Sequence, residues 1–176
     1  MYPFVRMALE MARARRLPKL GVFDTHVSQV RCWPWDLDPW MELNNGRTLT
    51  LYDLGRLPLA RRTGFEDTLL AKRWGLAVVG STTRYRRRVT VMAKLEMRTR
   101  CIGWDARFVY MEQSMWKGED CTSHVLIRSA IVSKVGMVPP RDMAVAMGIG
   151  PESPALPAWV QAWIEADATR LWPPAR

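Results

Sequence analysis

The chain has 176 residues, 48% of them hydrophobic and 24% charged, which is the composition of one globular domain with a real core and excludes a disordered chain. Lysine and arginine number 26 against 17 acidic residues, so the net charge of +9 favours anionic partners: nucleic acid, a lipid surface or a phosphate-bearing small molecule. The 3 cysteines lack metal-ligand spacing, and no apolar run reaches the roughly 18 residues of a membrane span.

The first predicted element is a short basic amphipathic helix within residues 1–21. Its apolar side chains recur at helical spacing, at Phe4, Met7, Ala8 and Met11. Arginines occupy many of the remaining positions, and the pattern stops near Pro18. Such a helix packs its apolar stripe on its own domain or lies on anionic lipid, and we expect the first.

A strand and a long helix are predicted next. Apolar and polar residues alternate over residues 22–33, and Pro34 ends the strand. After a loop, Asn44 or Asn45 is the predicted N-cap of a helix that closes at Gly64. Leucines cover more than one stripe of this helix, so the rest of the fold must surround it.

Residues 75–138 have a different texture. Four long runs rich in β-branched and aromatic residues are separated by short polar turns, such as the one at residues 117–120, and they predict an antiparallel meander. A short helix and a longer one are predicted within residues 139–176. The economical way to bury the leucine-rich helix is to curl the sheet around it. We therefore expect a single α+β domain over residues 1–176, with a core at residues 22–138.

The order of these parts resembles the hotdog-fold thioesterase superfamily, in the branch related to 4-hydroxybenzoyl-CoA thioesterases and to single-domain bacterial thioesterases with an N-terminal helical extension. The resemblance covers most of residues 1–138. It rests on Trp33-Pro34, Asp36-Leu37-Asp38, Asn44-Asn45-Gly46-Arg47, Tyr52-Asp53-Leu54-Gly55-Arg56 and Arg84-Tyr85-Arg86-Arg87. The resemblance implies a hotdog fold, in which an antiparallel sheet wraps a central helix, and a homodimer or dimer of dimers with active sites at the subunit interface.

The resemblance also implies roles for individual residues. The second aspartate of the acidic pair, Asp38, maps onto the family's nucleophile or base, and backbone N–H groups from about Asn45 through Gly46 to Arg47 would polarise the thioester carbonyl. Where many relatives have a histidine, this chain has Glu42, which either acts in its place or marks a site that has drifted.

The chemistry of thioester hydrolysis explains why an acidic loop should precede a helix. The reaction passes through a tetrahedral state with negative charge on oxygen, which helix N-terminal N–H groups stabilise. A nearby carboxylate attacks the carbonyl carbon or deprotonates water. Strand alternation places Arg84, Arg86 and Arg88 on one face, where they either form a solvated surface or grip the phosphates of coenzyme A.

The leading hypothesis is therefore an acyl-CoA thioesterase, acting on an acyl-CoA or acyl-carrier thioester without a metal or cofactor. The alternative is a non-catalytic hotdog dimer that binds acyl-CoA, in which Asp36 and Asp38 serve turns and Asn44 and Asn45 cap the helix. A weaker idea is a basic protein that binds anionic lipid or RNA, although nucleic acid is not expected because no RNA-binding signature is present. The N-terminus lacks a secretory signal pattern, so we expect a cytoplasmic protein.

Overall fold

The computed structural model describes residues 2–174. In chain order the elements are α1 (Phe4–Ala14), β1 (His26–Arg31), a 3-10 turn (Pro34–Asp36), α2 (Asn45–Arg62), α3 (Phe65–Lys72), β2 (Gly75–Tyr85), β3 (Lys94–Trp104), β4 (Val109–Lys117), β5 (Asp120–Ser133), β6 (Gly136–Val138), α4 (Pro140–Ala146) and α5 (Ala158–Ala168). None of the helices in this described part of the chain combines the length and the apolar character needed to cross a bilayer.

All strand pairs are antiparallel, and the sheet order is β1-β3-β4-β5-β2, with β6 added to β5. Strands β3 to β5 form the predicted meander. The prediction is wrong for β2, which pairs with β5 and not with β3. The reason lies in α2, which connects β1 to β2. Because these two strands are the opposite edges of the sheet, the helix between them must cross its concave face.

The central helix is enclosed, as the sequence predicts. Its buried residues include Leu51, Tyr52, Leu54 and Leu59. Opposite them, in the same core, lie side chains of β3, β4 and β5, namely Leu95, Met97, Met115, Val125 and Ile127. Each such side chain contributes about 1.5–3 kcal/mol when fully buried. This apolar contact is what holds the helix inside the curled sheet.

Gly55 marks the closest approach of helix and sheet. A Cβ atom built at this position would lie 2.4 Å from the Thr99 hydroxyl oxygen. Thr99 itself accepts a hydrogen bond from the Gln113 amide at 3.0 Å, so it has little freedom to move. Gly55 therefore serves backbone approach, which outweighs the roughly 1 kcal/mol that glycine costs within a helix.

The opposite face of the sheet carries α5. Val125 and Ile127 of β5 face α2, whereas Leu126 between them packs with Val160 of α5. This is the two-residue alternation of a strand buried on both sides. The predicted short and long C-terminal helices are confirmed as α4 and α5.

The N-terminal helix and the segment after α2 differ in detail from the prediction. Met7 of α1 joins the core as predicted, but Phe4 remains 71% exposed. Strand β1 begins only at His26, because Gly21 and Asp24 form a turn closed by a 2.7 Å hydrogen bond. Helix α3 was not predicted. Gly64, with φ 78°, ends α2 as expected, and this left-handed residue also starts α3.

Candidate active site at the start of the central helix

Asp36 is a buried ionic anchor beneath the start of α2. Its Oδ1 atom accepts a hydrogen bond from Arg47 Nε at 2.7 Å, and its Oδ2 atom accepts one from Arg6 Nη2 at 2.7 Å. The backbone N–H of Trp33 donates to Oδ2 at 2.9 Å. Burial raises the pKa of Asp36, but the hydrogen bonds from Arg6, Arg47 and Trp33 outweigh it, so the pKa lies below its ordinary value. The ionised carboxylate therefore fastens α1, the 3-10 turn and α2 together.

Asn44 caps α2, as the sequence predicts. Its side-chain oxygen accepts a hydrogen bond from the Arg47 backbone N–H at 3.0 Å. Asn45 and Gly46 are exposed at the first positions of the helix, where N–H groups have no acceptor within the helix. These two donors and the positive end of the helix dipole are open to an anionic atom.

Asp38 organises the turn that precedes this helix. Its Oδ1 atom accepts hydrogen bonds from the backbone N–H groups of Trp40 at 2.9 Å and Glu42 at 3.2 Å, and its own N–H donates to the Glu42 carbonyl at 2.7 Å. None of the residues in the range 2–174 donates to Oδ2. Turn formation thus occupies one carboxylate oxygen and leaves the other open. The predicted catalytic role of Asp38 stays a prediction.

A cleft of about 240 Å³ lies beside the start of α2. It is lined by Glu42, Asn45, Thr48, Tyr85, Arg86, Arg87 and Arg88, among others. The Glu42 carboxylate forms an ion pair with Arg88, and the Tyr85 hydroxyl donates to the Asn45 carbonyl at 3.1 Å. The fold therefore brings together Glu42, Asn45 and Arg86. Asp38 does not line this cleft in the described chain but adjoins it through its hydrogen bonds to Glu42.

The arginine run does not keep the alternation that the sequence predicts. Strand β2 ends at Tyr85, so Arg86, Arg87 and Arg88 follow a loop path and all three line the cleft. Arg84 is still in the strand, opposite His124 of β5. The His124 ring contacts Trp159 of α5, which places Arg84 on the outer face of the sheet. The prediction that Arg84 and Arg86 share one face is therefore wrong.

Two further charged groups are positioned by the fold. The predicted pair of Asp53 and Arg56 on α2 is confirmed, and Arg56 Nη1 also donates to the Gln113 side-chain oxygen at 2.8 Å. On the outer face, His124 and Arg100 both hold Glu112, and the hydrogen bond from His124 does most to lower the pKa of Glu112 to about 2. That second cluster was missed, because its members meet only through strand register. No group of three or more potential metal ligands occurs within residues 2–174.

Known proteins of similar sequence and structure include several thioesterases. A sequence model described as the thioesterase-like superfamily matches residues 32–164. The chain is 30% identical to protein THEM6 of Xenopus laevis over 164 residues, which are 92% of this chain and 78% of that protein. A probable thioesterase from Bartonella henselae superposes with a TM-score of 0.60, at 24% identity, over 66% of this chain and 98% of that structure. The gentisyl-coenzyme A thioesterase BH1999 superposes with a TM-score of 0.58, at 15% identity, over 65% and 94% of the two chains.

Proposed function

Because the chain belongs to the thioesterase-like superfamily, we propose that it hydrolyses an acyl-CoA thioester to a free acid and a thiol. The observation that carries the proposal is the arrangement at the start of α2, where open helix N–H groups, two carboxylates and a run of arginines adjoin one cleft. Each class of group has a use in this reaction, and no other cleft of the described chain adjoins this combination.

The proposed chemistry divides between Asp38 and the helix end. Acting as a base, Asp38 takes a proton from water, the water oxygen bonds to the carbonyl carbon, and the C–S bond breaks to release a thiolate that is then protonated. Acting as a nucleophile, Asp38 forms a mixed anhydride with loss of the thiolate, and water hydrolyses the anhydride. In both routes the N–H groups of Asn45 and Gly46 stabilise the oxyanion, a contribution of about 10²- to 10³-fold per donor. The Arg47 N–H is engaged by the Asn44 cap, so the part proposed for Arg47 is to hold Asp36.

The arginine side chains suit the coenzyme A part of the substrate. Arg86, Arg87 and Arg88 are exposed along the cleft, and guanidinium groups bind phosphate with paired hydrogen bonds. We propose Arg86 as a phosphate ligand at this cleft. Arg84 was predicted to do the same, and from the outer face it would reach only a part of the ligand that extends over the sheet edge. A carrier-protein thioester would use the same basic surface, and the cytoplasmic location stays a prediction.

We further propose that two copies associate through β2. This edge strand has 11 residues and exposes Leu76, Val78 and Val79, and an apolar edge of this length favours pairing with another chain. An antiparallel pairing of β2 with its copy would join the two sheets and bring each cleft close to the partner subunit.

Charge placed near the middle of β2 should separate the copies. In Val79→Asp, two carboxylates would meet near the two-fold axis, so we expect monomers where the unchanged chain sediments as dimers in analytical ultracentrifugation. Val27→Asp is the matched control, since Val27 is 48% exposed on the other edge strand and Val79 is 45% exposed on β2. A monomeric unchanged chain, or equal effects of both substitutions, would contradict pairing through β2.

A panel of acyl-CoAs tests the catalytic proposal. Free thiol release should be saturable and well above the rate without protein for at least one acyl group, and the panel should include benzoyl-CoA and 4-hydroxybenzoyl-CoA to test the predicted branch. Binding of S-alkyl-CoA, a thioether without a carbonyl, is measured in parallel. Binding of this analogue without thiol release from any acyl-CoA would instead support the non-catalytic alternative. The Glu42 substitution and its ion pair with Arg88 favour that alternative, because the pair leaves this carboxylate less available as a base.

A further inference from the structure

A second cavity lies at the other end of α2, away from the proposed catalytic cleft. Its volume is about 260 Å³. It is enclosed by the second half of α2, strands β2 to β5 and helix α4, and its wall includes Leu59, Leu76, Val78, Trp104, Val109, Met111, Met143 and Ile149. From Asn45 to Asp53, the nearest lining residue of α2, the helix rises about 12 Å. Occupation of this cavity therefore does not require that anything be bound at the start of the helix.

One polar atom in this apolar wall lacks a partner. Ser129 of β5 is fully buried and lines the cavity, and its hydroxyl has no hydrogen-bond partner among residues 2–174. Its register neighbours are Val109 on β4 and Val78 on β2, which offer no polar group. A buried hydroxyl without a partner costs about 1–3 kcal/mol. Alanine at this position would avoid that cost, so the hydroxyl calls for an explanation.

A trapped water does not provide one. A buried water needs two to four polar partners, and the other polar groups of the wall are already engaged. Arg56 pairs with Asp53 and Gln113, and the Thr63 hydroxyl donates to the Leu59 carbonyl. Burial raises the pKa of the Cys101 thiol to about 11, so this group is uncharged at neutral pH. The cavity therefore offers one hydrogen-bonding position within an apolar space.

We propose that this cavity binds a small apolar ring system or short chain that carries one hydroxyl or carbonyl oxygen, with that oxygen against Ser129. A cavity of about 150 Å³ lined by apolar side chains holds benzene, so a volume of 260 Å³ leaves room for a larger group. The proposal goes beyond thioester hydrolysis, because it concerns a separate site and predicts binding whether or not the chain is an enzyme.

The pair 2-naphthol and naphthalene tests the proposal by equilibrium dialysis, since the two probes differ by one hydroxyl. We expect both to bind saturably and 2-naphthol to bind about threefold to tenfold more tightly, the worth of one hydrogen bond. Ser129→Ala should remove this preference, leave naphthalene binding intact and raise the thermal midpoint of the empty protein. Ser28→Ala is the matched control, since Ser28 is also a buried serine without a partner for its hydroxyl in the described chain but does not line the cavity. It should retain the preference.

A space-filling variant tests the location independently. Ala60 lines the cavity from α2, so Ala60→Phe should weaken binding of both probes by at least tenfold while circular dichroism shows a folded chain. The absence of saturable binding to the unchanged protein would overturn the proposal. So would equal affinity for the two probes, or a preference for 2-naphthol that survives Ser129→Ala.

Discussion

Replacing Asp38 by asparagine is expected to lower kcat for acyl-CoA hydrolysis by about 10²- to 10⁴-fold, the usual contribution of a positioned acid or base. Asparagine keeps the side-chain oxygen that accepts hydrogen bonds from Trp40 and Glu42, so the turn should persist. What it removes is the negative charge and the basicity of the open oxygen. Stability in urea should therefore change by less than about 1 kcal/mol, which separates lost chemistry from lost folding.

Glu42→Gln is the informative comparison. Glu42 lines the cleft, but its carboxylate is paired with Arg88, so we expect a much smaller loss of kcat than for Asp38→Asn. The measurement is thiol release at saturating substrate for both variants and for the double variant. A large loss in Glu42→Gln with full activity in Asp38→Asn would assign the chemistry to Glu42 and refute the role proposed for Asp38.

The fold was predictable where a local pattern and a global requirement agree. The Asn44 cap, the Gly64 terminus and the leucines of α2 are local signals, and a helix with leucines on most sides can be buried only if a sheet surrounds it. The position of β2 was not predictable in this way. Strand alternation reports which face a side chain takes but not which strand lies alongside, and here β2 pairs across the sheet with β5.

The candidate site was predictable only in part, for the same physical reason. The sequence places Asn45 at the start of a helix and Arg86 near the end of a strand, but only the sheet order brings the two to one cleft. The prediction for Arg84 failed because β2 stops at Tyr85, and alternation cannot be extended past the end of a strand. The orphan hydroxyl of Ser129 has no sequence signal, because a serine in a strand is ordinary until its neighbours are known.

The acidic pair of the loop also shows how two similar residues acquire different tasks. Asp36 is fully buried between two arginines, whereas Asp38 is only partly buried in a turn. Exchange of either for asparagine alters the same few atoms. The effects should differ because a buried charge depends on its partners, while a partly exposed one is solvated by water.

Asp36→Asn is accordingly expected to destabilise the fold by about 3–5 kcal/mol, the usual cost of removing one partner from a buried ion pair. The side chains of Arg6 and Arg47 are only 18% and 16% exposed, so both would keep a poorly solvated charge, and the new amide would present N–H donors to guanidinium donors. Urea unfolding at pH 7 measures the loss, with Asp38→Asn as the matched control. A loss below 1 kcal/mol, or one equal to that of Asp38→Asn, would contradict the anchor.

The pH dependence of the same variant tests the sign of the electrostatic argument. The folded-state pKa of Asp36 lies below its ordinary value of 3.8, so the stabilisation by this carboxylate is complete above that pH and is lost as the pH falls through the folded-state pKa. The asparagine variant has no such contribution to lose. The difference in unfolding free energy between the two proteins should therefore be constant from pH 7 to about 5 and shrink below pH 4. A difference that grows on acidification would mean that Asp36 is protonated in the folded chain and that its two arginines are held by something else.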